Sequence, residues 1–292
     1  MYEFKNKNSL KVDIYRKIRY NLLQRHIYGL TSSFRVLPDF LVIGAKRCGT
    51  TSLYDYLGHH PCIKQSSHDN IGFFNDNFHL GIDFYKSFFP TIFEKKKVIQ
   101  KNKKFMTYDV TSSYIYHEKA PQRMYQHMPN VKLIILLRNP TSRAWSEYNS
   151  NLRAKPNLDT FESYIENEFD DIKNYNLLDK AQNNDYNLID STKNFLKKGL
   201  YVNYLKKWFN LFPRENFLIL STETFTKNEN FIFTKIFEFL NLPYYEIKNL
   251  IRREKGVYKN SLNPETKIKL DKFFESSNKE LFELIKQKFA WT

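Results

Sequence analysis

Two glycines near the N-terminus, Gly44 and Gly49, frame a segment whose residue types suit the binding of a phosphate group. The four apolar residues 40–43 predict a buried strand directly before Gly44, and hydroxyl residues from Thr50 onward predict the start of a helix. Backbone N–H groups at a helix N-terminus are unpaired and lie at the positive end of the helix dipole, so they favour an anion. Lys46 and Arg47 add positive charge at the same place. The segment therefore predicts a phosphate-binding loop between a strand and a helix.

This loop departs from the nucleotide-binding pattern G-x-x-x-x-G-K-[ST], in which a lysine follows the second glycine and the next hydroxyl group binds Mg²⁺. Thr50 stands where that lysine belongs, and the cations lie inside the loop at Lys46 and Arg47. The departure favours a ligand that carries a 5′ phosphate but no metal-bound triphosphate.

A second strand-to-helix segment ends in a cation. Residues 131–137 predict a buried strand, Arg138 follows it directly, and Pro140 suits the first turn of a helix. A strand that helps to hold Mg²⁺ would end in an aspartate instead. We therefore expect Arg138, together with Ser146 on the following helix, to bind one phosphate group.

The first segment resembles the 5′-phosphosulfate loop of PAPS-dependent sulfotransferases, and the second resembles their 3′-phosphate motif. PAPS is 3′-phosphoadenosine 5′-phosphosulfate. The resemblance is to the branch that contains heparan sulfate N- and 3-O-sulfotransferases and their microbial relatives, and it runs from about Leu37 to the C-terminus. Further matches follow in the same order at residues 71–75, 81–90, 120–121, 199–205 and 255–256.

The resemblance implies a metal-independent, in-line transfer of a sulfuryl group from PAPS to a hydroxyl or amine group of an acceptor, with carbohydrate as the expected class. It implies that Arg47 stabilises the leaving group, with Lys46 as the second candidate. Binding of the nucleotide falls to Lys46, Arg47, Cys48, Gly49, Thr50, Thr51, Ser52, Arg138, Ser146, Tyr201, Lys255 and Gly256.

The general base is open at this stage. The heparan-type enzymes place a glutamate three residues before a Phe-Phe pair, and Asn70 holds that position here. Because an amide cannot take up a proton as a carboxylate does, His68, Asp69 and Asp109 are the candidates. The alternatives are a catalytically impaired protein that binds PAPS, its product or a polyanion, and a P-loop kinase.

Strands that alternate with helices predict an α/β fold, with a P-loop-type parallel sheet flanked by helices and ligands at the carboxyl ends of the strands. We expect one sulfotransferase domain over residues 36–292, with a helical insertion at 153–195 and a last helix over 264–290. Residues 1–35 predict a basic amphipathic arm, which either packs on the domain or contacts anionic lipid peripherally. Five apolar residues of the last helix are expected to face inward: Ile268, Phe273, Phe274, Leu281 and Leu284.

The composition agrees with an anionic ligand. The 292-residue chain carries a formal net charge of +15, which predicts a positive field that attracts anions. We expect no nucleic-acid partner, because no reader motif accompanies the charge, and no metal site, because no cluster of ligand residues is visible. Two cysteines, no signal peptide and no long apolar stretch predict a cytoplasmic protein, with a peripheral membrane contact through the arm left open.

Overall fold

A five-stranded parallel sheet forms the centre of the computed structural model, which describes residues 29–174, 194–248, 258 and 260–291. The strand order is β2-β3-β1-β4-β5, and every neighbouring pair is parallel. The strands are β1 (Phe40–Gly44), β2 (Ile63–Gln65), β3 (Met106–Val110), β4 (Lys132–Leu137) and β5 (Phe217–Ser221). The predicted α/β fold with a parallel sheet flanked by helices is confirmed.

Ten α-helices are described around the sheet, with short 3-10 helices between them. The α-helices are α1 (Thr50–Leu57), α2 (Gly81–Lys86), α3 (Ile92–Asn102), α4 (Ala120–His127), α5 (Pro140–Ala154), α6 (Phe161–Asn174), α7 (Tyr201–Phe209), α8 (Thr222–Lys227), α9 (Glu229–Phe239) and α10 (Pro264–Ile285). The 3-10 helices span Gly29–Phe34, Phe78–Leu80, Tyr114–Tyr116, Lys197–Gly199 and Arg214–Asn216.

β1 and β4 are neighbours at the centre of the sheet, although 87 residues lie between the end of β1 and the start of β4. Val42 pairs with Ile134 in the parallel register, and an irregularity follows between Val42 and Gly44. The N–H group of Ala45 then donates to the carbonyl oxygen of Leu136 at 2.7 Å. Because parallel strands end at the same edge of a sheet, the turns that follow β1 and β4 lie side by side.

Both helices that follow these strands begin where the sequence predicts. α1 begins directly after Gly49, whose φ of 93° lies in the left-handed region that favours glycine. α5 begins with Pro140, and the side chain of Asn139 caps it by accepting a hydrogen bond from the N–H group of Ser142 at 3.0 Å.

A separate apolar cluster fastens α5, α6 and α10 to one another. Ala144, Phe161, Phe195 and Phe274 are buried in it. Together with the 3-10 helix at Lys197–Gly199, this cluster fixes the position of α5 beside the sheet.

The prediction for the last helix is partly wrong. Phe274 and Leu281 are buried as expected, but Ile268 is 69% exposed and Leu270 is buried in its place. Leu270 and Phe274 are four residues apart and share one face of α10, whereas Ile268 lies about 200° around the helix from Leu270. The apolar residues of α10 therefore do not form one stripe.

Some predicted features lie outside the described residues. These include residues 1–28 of the basic arm, residues 175–193 of the insertion, and the 249–257 segment with Lys255 and Gly256. The described part of the insertion does contain a helix, α6. Among the helices that the structure describes, none combines the length and apolar character needed to cross a membrane.

Gly199 provides a test of the packing that positions α5. A Cβ atom at this position would lie 2.6 Å from the ring of Phe274 and 2.9 Å from Cβ of Pro140. We expect Gly199→Ala to lower the free energy of unfolding by about 2 kcal/mol, because the packed ring cannot yield without strain. Chemical denaturation measures the change.

The control is to make the same substitution in a Phe274→Leu variant, in which a smaller side chain replaces the ring that the new methyl group meets. In that background the substitution at Gly199 should cost clearly less free energy of unfolding. An equal cost in both backgrounds would show that the contact with Phe274 does not determine the effect.

Candidate functional site

The turns that follow β1 and β4 meet at the carboxyl edge of the sheet. Nη1 of Arg138 lies 3.5 Å from the carbonyl oxygen of Arg47, to which it donates. The hydroxyl group of Thr222, at the start of α8, lies 2.7 Å from the carbonyl oxygen of Cys48 and 3.0 Å from that of Leu137. Thr222 therefore holds the two turns together, and the structure brings the cations of both predicted segments to one place.

The hydroxyl group of Tyr258 lies at this meeting point. It is hydrogen-bonded to the side chains of Ser146 and Arg138, and its ring lies 6.4 Å from that of Trp145 between centroids. Burial alone would raise the pKa of the phenol, but the hydrogen bonds from Ser146 and Arg138 and the charges of Arg138 and Arg47 lower it overall. The surroundings of the Tyr258 oxygen therefore favour negative charge.

The first turn of α1 offers a second position for an anion. Its N-cap residue, Gly49, has no side chain to cap the helix, and the first hydrogen bond across this turn runs from the N–H group of Leu53 to the carbonyl oxygen of Gly49 at 3.1 Å. Thr50 is buried, while Thr51 and Ser52 are partly exposed. The N–H groups and hydroxyl groups of this turn are the type of donor that binds a phosphate group.

The hydroxyl group of Tyr201 contacts both turns. Its hydroxyl group donates to the carbonyl oxygen of Arg138 at 3.0 Å and lies 4.0 Å from Sγ of Cys48. Burial raises the pKa of the Cys48 thiol to about 11, although nearby arginines oppose the change. Cys48 is therefore a protonated, buried thiol, which suits a small packing residue and not a nucleophile.

A buried cluster of charges fixes α5, the helix that carries Ser146. Glu147 accepts a hydrogen bond from Nη1 of Arg143 at 2.6 Å and another from Nζ of Lys198 at 2.9 Å, and all three side chains are buried. Burial lowers the pKa of Lys198 to about 8, with Glu147 opposing this shift and the charges of Arg143 and Lys46 adding to it. Lys198 therefore lies close enough to Lys46 of the phosphate-binding loop for their charges to interact.

Asp109, one of the predicted bases, is enclosed near the end of β3. Its carboxylate accepts hydrogen bonds from the hydroxyl groups of Tyr114 at 2.9 Å, Thr111 at 2.9 Å and Tyr85 at 3.1 Å. Burial raises the pKa of Asp109 to about 6, although these hydrogen bonds lower it, and the charge of Asp69 raises it further. Because Asp109 is fully buried and accepts three hydrogen bonds, its carboxylate fixes the positions of the three hydroxyl groups.

The other two predicted bases lie on the segment after β2. His68 is partly exposed, and its ring packs edge-on against Phe88 with 5.9 Å between centroids. Asp69 and Asn70 are exposed, and the N–H group of Asn70 donates to the carbonyl oxygen of Val110 at 2.7 Å. The structure therefore places this segment beside β3, with its polar side chains toward solvent.

Asp76 is a carboxylate that the sequence did not single out, and it lies close enough to Lys46 of the phosphate-binding loop for their charges to interact. It is an exposed residue, and its Oδ2 accepts a hydrogen bond from Nδ2 of Asn75 at 3.1 Å. Partial burial of the carboxyl group raises its pKa, and the charges of Lys46 and Arg123 oppose the shift. Lys46 is thus one of the two cations that act on the exposed residue Asp76.

Weak sequence signals existed for most of these additional residues. Tyr258 follows the predicted Gly256 by two positions, Lys198 precedes the 199–205 match, and Asp76 follows the 71–75 match directly. Thr222 carried no signal, because its role depends on β5 lying beside β4.

The fold and this site define the class of protein. The family model of the sulfotransferase domain matches residues 37–254, so the chain belongs to that family and the expected resemblance is confirmed.

Individual relatives agree with this family. The chain is 27% identical to the membrane-associated sulfotransferase kil1 of Dictyostelium discoideum, over 87% of this chain and 66% of the relative. It is also 27% identical to the mouse heparan sulfate glucosamine 3-O-sulfotransferase 3A1, over 73% of this chain and 48% of the relative. The chain thus spans about half to two thirds of the length of these relatives. A solved sulfotransferase from Alicyclobacillus acidocaldarius shares the fold, with a TM-score of 0.65, 22% identity, and coverage of 88% of this chain and 99% of that one.

The buried cluster on α5 gives a prediction for stability. We expect Glu147→Gln to lower the free energy of unfolding by about 3 kcal/mol, because Arg143 and Lys198 would remain buried without a compensating charge. Chemical denaturation measures the change.

The matched control is Glu280→Gln, since Glu280 forms an ion pair with Lys206 in which both side chains are about half exposed. That substitution should change the free energy of unfolding by less than about 0.5 kcal/mol. Similar effects of the two substitutions would contradict the stabilising role assigned to the buried cluster.

Proposed function

We propose that this chain transfers a sulfuryl group from PAPS to a hydroxyl or amine group of an acceptor, with carbohydrate as the acceptor class. The observation that carries the proposal is the anion-favouring position at the hydroxyl group of Tyr258, between Ser146 and Arg138. It lies beside a loop that offers helix N-terminal donors for a second anion. Two neighbouring anion positions suit a nucleotide with both a 3′ and a 5′ phosphate.

The acceptor class follows from the relatives. The mouse relative is a heparan sulfate 3-O-sulfotransferase, and heparan sulfate is a carbohydrate. The positive net charge of this chain suits a polyanionic acceptor of this kind. Transfer to an oxygen and transfer to a nitrogen are both open in this proposal.

The residues present fit the donor. The first turn of α1, with Thr50, Thr51 and Ser52, would hold the 5′ phosphate, and Arg138 with Ser146 would hold the 3′ phosphate in place of the Tyr258 phenol. When bound, PAPS supplies a sulfuryl group on a phosphate that leaves as part of adenosine 3′,5′-bisphosphate.

Arg47 and Lys46 supply the positive charge that this reaction needs. A preorganised cation stabilises the negative charge that develops on a leaving oxygen, and a guanidinium group does so through charge-assisted hydrogen bonds. A guanidinium group keeps its protons in proteins, so an arginine at this position neither gives up nor takes up a proton. The acceptor's own proton therefore requires a separate group.

A P-loop kinase is not favoured by this site. Kinase-type loops hold Mg²⁺ with an acidic residue beyond the strand, whereas β4 is followed by Arg138. The absence of a metal requirement stays a prediction, as does a cytoplasmic location.

The 3′-phosphate assignment predicts a selective loss of affinity. In calorimetric titrations, Arg138→Ala should weaken binding of adenosine 3′,5′-bisphosphate by about 30-fold, because a charged hydrogen bond is worth about 2 kcal/mol. Ser146→Ala should weaken it by roughly fivefold. Binding of 5′-AMP, which lacks the 3′ phosphate, should change by less than about threefold in both variants.

Equal losses of affinity for the two nucleotides would contradict the assignment of the 3′ phosphate to Arg138 and Ser146. Tighter binding of ATP with Mg²⁺ than of the bisphosphate by the unmodified chain would overturn the donor class itself.

Transfer is tested with radiolabelled PAPS and chemically desulfated heparin, which offers free hydroxyl and amine groups. We expect label in the polysaccharide, at an equal rate with and without EDTA. Arg47→Ala should lower this rate by at least about 100-fold, because it removes a charge that acts mainly in the transition state. Binding of the bisphosphate without any transfer would instead support a non-catalytic binding protein.

A further inference from the structure

The segment after β2 turns sharply at Gly72, and the turn leads to the exposed residue Asp76. Gly72 has a φ of 66°, and its carbonyl oxygen accepts hydrogen bonds from the N–H groups of Asp76 at 3.1 Å and Asn77 at 3.0 Å. The side chain of Asn77 donates to the carbonyl oxygen of Ile71 at 2.9 Å. The backbone that carries Asp76 is therefore fixed by its own hydrogen bonds.

This turn is fastened to the segment that borders the phosphate-binding loop. The N–H group of Phe73 donates to the hydroxyl group of Tyr114 at 2.8 Å, and Nδ2 of Asn75 donates to Oγ of Ser113 at 3.1 Å. Ile115, on the same segment, packs so closely on Gly44 that a Cβ atom there would lie 2.5 Å from its side chain. The turn is thus held at a set position relative to the start of the loop.

Asp109 contributes to this placement. Its carboxylate accepts the hydrogen bond of the Tyr114 hydroxyl group, and the same hydroxyl oxygen accepts from Phe73. Asp109 therefore orients Tyr114, which orients the turn. This arrangement gives Asp109 a positioning role, and its carboxylate is fully buried.

The carboxylate of Asp76 is oriented and accessible at the same time. The side chain of Asn75 donates to its Oδ2, and the charges that act on it come from Lys46 of the phosphate-binding loop and from Arg123. Arg123 is itself held, because its Nη1 donates to the carbonyl oxygens of Phe74 and Asn75 at 2.8 Å each. Asp76 remains an exposed residue that a large acceptor can reach.

We propose that Asp76 is the general base of this protein and takes the proton of the acceptor group beside Lys46. The inference rests on the proposed sulfuryl transfer and assigns the proton acceptor that Asn70 cannot provide. As the acceptor oxygen or nitrogen bonds to sulfur, its proton passes to a carboxylate oxygen of Asp76. The sulfur–oxygen bond to the leaving phosphate breaks, and the phosphate oxygen keeps the electron pair.

The environment of Asp76 suits this role better than that of the bases predicted from the sequence. A carboxyl group whose pKa lies above its ordinary value is closer to the operating pH, which favours proton transfer. The charge of Asp69 acts on Asp109 and Tyr54. The charge of Asp76 interacts with that of Lys46, one of the two cations of the loop.

The test measures transfer and nucleotide affinity in the same variants. With labelled PAPS and desulfated heparin, Asp76→Asn should lower kcat by at least about 100-fold, as expected for loss of a general base. Its affinity for adenosine 3′,5′-bisphosphate, measured by calorimetry, should be equal or up to about fivefold higher, because a negative charge facing Lys46 is removed. Asp76→Glu should recover kcat to within about tenfold of the unmodified chain, since it restores a carboxylate.

Asp83→Asn is the matched control, because Asp83 is an exposed aspartate on α2 seven residues further along. It should leave both kcat and nucleotide affinity unchanged. A kcat for Asp76→Asn within threefold of the unmodified chain would overturn the inference. Loss of transfer in Asp69→Asn or His68→Ala would then indicate that the base is one of these two residues.

Parallel losses of nucleotide affinity, kcat and unfolding free energy in Asp76→Asn would also overturn the inference, since they would show a structural role. Failure of the proposed function has a different signature. In that case the unmodified chain would neither bind the bisphosphate nor transfer label, whatever residue stands at position 76.

Discussion

The parallel pairing of β1 with β4 is the constraint on which the site depends. The two strands are distant in sequence, and each is followed by a turn that carries an arginine. Their shared register brings Arg47 and Arg138 together at one edge of the sheet, where like charges repel. The buried apolar strands and the backbone hydrogen bond from Ala45 to Leu136 hold the turns there regardless of that repulsion. The fold thereby holds two positive charges close together at one edge of the sheet, as the proposed binding of an anion requires.

Buried polar groups set the positions of the surrounding helices and turns. Glu147 joins α5 to the Lys197–Gly199 helix through Lys198, and Asp109 orients the turn at Gly72 through Tyr114. In both cases one carboxylate serves several donors, so its removal would leave those donors unsatisfied in the interior. The exposed side chains of the site are therefore carried by backbone that cannot shift easily.

Features that depend on local sequence were predicted well. The sheet, the starts of α1 and α5, and the cations of both turns follow from apolar runs, a left-handed glycine and a proline, which act over a few residues. Tyr258 and Asp76 were missed because their roles depend on distant neighbours, Ser146 and Lys46 respectively. Ile268 was placed wrongly for the related reason that only the surrounding helices determine which face of α10 is covered.

The phenol of Tyr258 affects how strongly a single anion would bind to Ser146 and Arg138. While the phenol oxygen accepts hydrogen bonds from Ser146 and Arg138, inorganic phosphate or sulfate can enter only by replacing one set of hydrogen bonds with another, for little net gain. A nucleotide with two phosphates on one ribose meets the cost of displacement once and gains a second anchor at α1. Under the proposed function, Tyr258 would therefore lower the affinity for single anions more than the affinity for a nucleotide with two phosphates.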